Sequence, residues 1–288
     1  MTELLQHTVN GTIVGSVYVL IALGVTLVYG LTRLINFAHG EVVTIGALVT
    51  FWLVQNGVNY YLAILIAGVA GGVLGAALDR GVFRWTRDKP INGFLVSLGL
   101  IACSQAILIK MTQDNAKSIP SPIHGSLHLL GVVVTWQRIF VVVVAALLCV
   151  LLMMYLKLTR FGRATRAYSE NPDASAMMGI DGTRVVLNIF VIGSAQAAIA
   201  GGLVVSLYAA TPGLGSGMII KAFAVALIGG LGSVEGAVLA GLLVGLSESL
   251  GAAYISSTWT DAFGYVLMLM VLMVRPTGLA RGGAGAHL

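Results

Sequence analysis

Nine apolar runs divide the chain, at roughly 10–30, 42–55, 61–83, 92–111, 138–156, 185–209, 218–230, 237–254 and 262–274. The longer ones reach about 20 residues, the length a helix needs to cross about 30 Å of hydrocarbon. A membrane barrel would instead show alternating strands of about ten residues. Charge is too scarce for the other classes. Only 9% of the 288 residues are charged, against 58% hydrophobic, and the mean hydropathy is +0.95. Soluble domains carry about 25% charged residues, and disordered chains lack long apolar runs. The sequence therefore predicts an all-α, polytopic transmembrane bundle of eight or nine spans, a single domain over 1–288. The run at 218–230 is short for a crossing and reads as a half-helix or a span.

The basic residues orient this bundle. Arg80, Arg84, Arg87 and Lys89 cluster after the third run, and Lys157, Arg160, Arg163, Arg166 and Arg184 at or within the segment after the fifth. Arg275 and Arg281 follow the last. Nine crossings with the N-terminus outside put 12 of the 16 basic residues, all but Lys110, Lys117, Arg138 and Lys221, on the cytoplasmic side. The C-terminus is then cytoplasmic. The net charge of +5 is thus a topology signal, with no need of a nucleic-acid partner. The first thirty residues hold no Lys or Arg. A signal peptide's basic region is missing, and the first run is expected to stay in the mature protein. Cys103 and Cys149 sit inside apolar runs with no disulfide or metal spacing.

Small residues recur at four-residue steps: Gly68 and Gly72, Gly71 and Gly75, Gly241 and Gly245, and Gly193, Ala197 and Gly201. Such steps let helix backbones approach closely in lipid. Two stretches interrupt the apolar pattern, Ile35-Asn36-Phe37-Ala38-His39-Gly40-Glu41 and Gly229-Gly230-Leu231-Gly232-Ser233-Val234-Glu235-Gly236. Each sets a carboxylate just before a new run, where a helix N-terminus favours it. They read either as capped turns or as broken helices lining a substrate path. Glu248 lies within the run 237–254, on the face of Gly241 and Gly245. An ionisable group in a membrane helix is costly enough that it must face protein, water or the interface. Asn36, His39, Glu41, Gln196, Glu235 and Glu248 are the candidate path residues.

No phosphate-binding GxxxxGK[ST] loop is present, so the chain is not expected to bind and hydrolyse ATP itself. There is no HExxH motif, and His124 and His128 are separated from a helical reading by Pro120 and Pro122. No metal or catalytic site is expected. The segment 157–184 is the longest amphiphilic stretch on the cytoplasmic side. Asp173 follows Pro172 and can start a short helix carrying Ala174, Met177 and Met178, with Gly179 suited to end it. Its apolar knob either docks into a partner's groove or lies on the membrane surface.

The chain resembles the membrane permease subunit of ABC importers for branched-chain amino acids, the shorter of that family's two permeases. Residues 15–41 match the opening segment, 162–180 (Gly-Arg-Ala-x-Arg-Ala to Met-Gly-Ile-Asp) the cytoplasmic loop, 221–236 the Lys-Ala-Phe-Ala to Gly-Gly-Leu-Gly-Ser-Val-Glu-Gly stretch, and Arg275-Pro-Thr-Gly-Leu279 the ending. ABC importers share an EAAxxxG coupling loop. Here Asp173-Ala174-Ser175-Ala176-Met177-Met178-Gly179 stands in that place, with Asp for Glu and Ser for the second Ala. The resemblance implies alternating access in the inner membrane. It also implies a second, different permease subunit, two ATPase subunits that hold ATP and magnesium, and a periplasmic substrate-binding protein. It implies that Gly162, Arg163, Arg166, Asp173, Ala174, Met177, Met178 and Gly179 couple the chain to the ATPase. An importer of urea, amides or other amino acids on the same scaffold, a membrane-embedded enzyme and a passive channel are the competing readings.

Overall fold

The computed structural model describes residues 2–87, 89–129 and 131–280. Its helices are α1 (Thr2–Thr32), α2 (His39–Gln55), α3 (Tyr60–Gly81), α4 (Pro90–Thr112), α5 (Trp136–Leu158), α6 (Arg160–Glu170), α7 (Pro172–Met177), α8 (Gly182–Val204), α9 (Leu214–Gly229), α10 (Val234–Tyr254) and α11 (Thr260–Val274). Seven segments are long and apolar enough to cross a membrane: α1, α3, α4, α5, α8, α10 and Ser257–Val274, which takes in α11. Two more, α2 with 17 residues and α9 with 16, are shorter.

Local chemistry sets the boundaries. The side chains of Asn59, Asp181 and Ser233 accept backbone N–H bonds at the starts of α3, α8 and α10. Pro90 opens α4, where a missing N–H costs nothing. Gln113, in the left-handed region, ends it. The middle of α1 is apolar on every face, as suits a helix enclosed by protein or lipid, and its spanning stretch is 89% buried by the rest of the chain. It is the central helix, flanked by α8, α9, α10 and α5. Gly11 and Gly15 meet Gly245 and Gly241, and a Cβ on Gly15 would fall 2.7 Å from the Gly241 carbonyl oxygen. On the other flank α3 lies on α8 through Gly71 and Gly75; a Cβ on Gly71 would fall 2.7 Å from the Ser194 carbonyl oxygen. In contrast, α4 and α11 leave most of their surface uncovered.

Two segments depart from the sequence expectation. The stretch between α4 and α5, read as loop, carries an antiparallel hairpin, β1 (Ser126–Leu129) and β2 (Val132–Thr135), turning at Gly131. Gln6 at the start of α1 bonds the Val133 backbone through both its amide atoms, at 2.9 and 3.1 Å. This is the hairpin end of the bundle. The 157–184 segment forms two helices, α6 and α7, where one short helix was expected. The strongly polar α6 was unanticipated because its arginines read as loop. The run expected to reach residue 209 stops being helical at Val204.

Candidate functional site

Two helices begin inside the bundle. After α1 ends, Arg33 adopts a left-handed conformation with φ +56°, and the chain folds back along the helix it has just left. By His39, where α2 starts, it lies beside Gly24; a Cβ there would sit 2.8 Å from His39 Cε1. Gly24 is eight residues before the end of α1, so α2 starts about 12 Å inside that end. The N-terminus of α9 meets it from the other side. Gly215 donates its N–H to Thr44 Oγ1 at 2.9 Å, and a Cβ on Gly40 would meet Ile219 Cβ at 2.8 Å. Around this crossing, Gln105 of α4 donates to Ser216 Oγ (2.9 Å) and to Glu41 Oε1 (3.4 Å). Asn36, His39 and Glu41 are buried, and Asn36 Oδ1, His39 Nε2 and Glu41 Oε2 have no partner. Two helix N-termini with open buried polar atoms form a site with a partial positive field and one carboxylate.

The second cluster is charged and joins four helices. Tyr18 of α1 donates its hydroxyl to Glu248 Oε2 of α10 at 2.8 Å. Lys221 of α9 donates to that same oxygen (3.1 Å), to the Tyr18 hydroxyl (2.9 Å) and to Asp261 Oδ1 of α11 (2.7 Å). The lysine and Glu248 side chains are 15% and 5% exposed, and the ammonium also sits 5.2 Å from the Tyr18 ring centre. Glu248 Oε1 is buried and unpartnered. Burying such a pair costs several kcal/mol per ion before their attraction offsets it.

The structure thus separates the candidate path residues. Asn36, His39 and Glu41 come together at the α2 start, and Glu248 belongs to the lysine cluster. Gln196, on α8, reaches only the Leu148 carbonyl, at 3.4 Å. Glu235 is exposed at the start of α10 and pairs with Lys157 at 3.2 Å. Tyr18, Gln105, Ser216, Lys221 and Asp261 were not singled out from sequence. Of these, Lys221 carried a signal, since a cation inside an apolar helix demands a carboxylate nearby.

The coupling candidates gather at the end opposite the hairpin. Gly162, Arg163 and Arg166 lie on α6, whose start is capped by Thr159 accepting from the Gly162 N–H. Arg166 donates to the Leu156 carbonyl. Asn171 caps α7 by accepting from Ala174 N–H at 2.9 Å. Asp173 stands in the first turn, and Gly179 at φ +79° reverses the chain toward α8. Met177 and Met178 are left 89% and 83% exposed.

The profile of the branched-chain amino acid transport system permease component matches residues 7–272. The permease protein LivH of a high-affinity branched-chain amino acid transport system in Salmonella typhimurium is 33% identical, over 96% of this chain and 94% of its own length. The corresponding BraD protein of Pseudomonas aeruginosa is 34% identical over 96% and 95%. A probable LivH of Methanocaldococcus jannaschii is 31% identical over 93% and 89%. No solved structure gives a significant match.

Proposed function

Because this chain belongs to the family of permease components of branched-chain amino acid transport systems, we propose that it forms half of the membrane pathway of an ATP-driven importer for those amino acids. The other half is a second, different permease, and two ATPase subunits and a substrate-binding protein complete the assembly. ATP and magnesium stay on the ATPases. The hairpin end faces outward, toward the binding protein, and the α6–α7 end faces the cytoplasm. The twelve-to-four division of basic residues supports this orientation. Nine segments then enter the membrane, α2 and α9 as partial helices whose N-termini meet within it.

One observation carries the coupling half of this reading. The capped helix α7 ends in two methionines almost wholly in solvent, Met177 in its last turn and Met178 at its C-cap. Exposed apolar area costs about 25 cal/mol per Å², so the pair calls for a cover, and methionine adapts its shape to a partner's groove. Movement of the ATPases would pass through α7 to Gly179 and into α8, rocking the bundle between outward-open and inward-open forms.

The test is transport and ATP hydrolysis by the assembled complex in vesicles. Gly179→Asp is expected to leave membrane insertion intact, to lower transport, and to free hydrolysis from its dependence on loaded binding protein. A cysteine at position 178 (Met178→Cys) should crosslink to an ATPase subunit. Full coupling in Gly179→Asp together with no crosslink from position 178 would discard the docking role of α7.

A further inference from the structure

We propose that this chain itself holds a transit site for a free apolar α-amino acid, in a cavity between α1, α9 and α10 whose floor is the Lys221–Glu248 pair. The proposal rests on the importer reading above and goes further, by locating a substrate site within the permease. The cavity has a volume of about 470 Å³, within the range of small-molecule pockets. At the hairpin end it is lined by His7, Tyr208 and Thr260. The charged pair lies near these residues: Ser249, next to Glu248, donates to the His7 carbonyl at 2.7 Å, and Asp261, next to Thr260, pairs with Lys221 at 2.7 Å.

The lining is divided by chemistry. The walls are Ile13, Val14, Val17, Leu207 and Met218. The floor carries an ammonium and a carboxylate 3.1 Å apart, with the Tyr18 hydroxyl bonded to both. A free α-amino acid has the complementary pattern: carboxylate and ammonium on one carbon, and a side chain leading away. Its carboxylate can take the Lys221 ammonium while its own ammonium takes Glu248 Oε2, each in place of a contact within the pair; Glu248 Oε1 is turned toward Gly264 of α11. An apolar side chain then lies along the aliphatic walls. A sugar would leave its hydroxyls unpaired against those walls, at a cost for each. An ionised side chain would be costlier still. The ligand must compete with an existing ion pair, so the affinity is low, and a low affinity suits a site that must also release its occupant.

The test uses the full complex of permeases and ATPases, purified without its binding protein, and measures binding of radiolabelled leucine. Saturable binding in the millimolar range is expected, displaced by valine and isoleucine but not by lysine or glutamate. Two variants address the site differently. Ala252→Trp fills the cavity, and Lys221→Met/Glu248→Gln removes both charges together so that neither is left buried alone. Each should weaken binding at least about tenfold, with assembly checked by gel filtration. Absence of saturable leucine binding, or equal binding in both assembled variants, would overturn the site. The importer reading is judged separately, by uptake in vesicles containing the binding protein. Uptake of leucine with no binding by the permease complex removes the site and keeps the importer. No uptake of any branched-chain amino acid removes the importer.

Discussion

Lys221 shows how a residue acquires meaning only from its neighbours. Along the sequence it is one cation in an apolar run, 27 residues from Glu248 and 203 from Tyr18. In the folded chain those groups meet Asp261 around a single ammonium nitrogen. Glu248 is legible as a costly in-membrane carboxylate because an ionised group stands out against an apolar helix. Tyr18 is not, because a tyrosine among valines and leucines looks like core, and the register between α1 and α10 is written in no local pattern. The cluster makes a double substitution informative. Lys221→Met leaves Glu248 buried with only the Tyr18 hydroxyl and should lower stability by about 3 kcal/mol, the low end for a broken buried pair. Lys221→Met/Glu248→Gln should restore most of that loss. Thermal unfolding of the purified chain in detergent gives the comparison. Additive losses would mean that the two side chains do not interact.

Among the elements, the crossing of α2 and α9 depends on glycines that the sequence exposes only in part. The interruption at 35–41 is visible as polar residues between two apolar runs. Its return alongside α1 is not, because Arg33, a residue type that seldom adopts positive φ, makes the turn. The start of α9 gives no warning either, since Leu214-Gly215-Ser216-Gly217 has the composition of an ordinary loop. Two of its glycines have opposite surroundings. A Cβ on Gly215 would run into the Gly40 backbone and come within 2.6 Å of Thr44 Oγ1, while one on Gly217 would meet nothing within 4 Å. Gly215→Ala should therefore destabilise by about 1–3 kcal/mol through overpacking. Gly217→Ala should be neutral or stabilise by about 0.5–1 kcal/mol, since alanine favours the helix. Melting temperatures in detergent distinguish the two, and equal shifts would show that the helix ends do not touch. The hairpin had a legible cue in Val132-Val133-Val134, a β-branched triplet ahead of the next apolar run, but the prolines upstream suggested only a loop.

For the whole molecule, the two ends differ in kind. One carries the hairpin, the other the arginine-bearing α6 and the exposed Met177 and Met178. In intact cells, an impermeant thiol reagent should label a cysteine placed in the hairpin (Ser126→Cys). It should label one at position 178 (Met178→Cys) only after permeabilisation. The reverse pattern would invert the bundle and with it the direction of transport. The central placement of α1 also has a consequence for how the protein is made. Its main supports are α8 and α10, α8 is also the main support of α2 and α3, and α8 begins about 100 residues after α3 ends. At roughly 5–20 residues per second of synthesis, the first three helices wait about 5–20 s in the bilayer with their glycine faces unmatched. A ribosome stalled before Gly182 would leave a fragment with no means of closing those faces, open to mispairing with whatever nascent helix lies beside it.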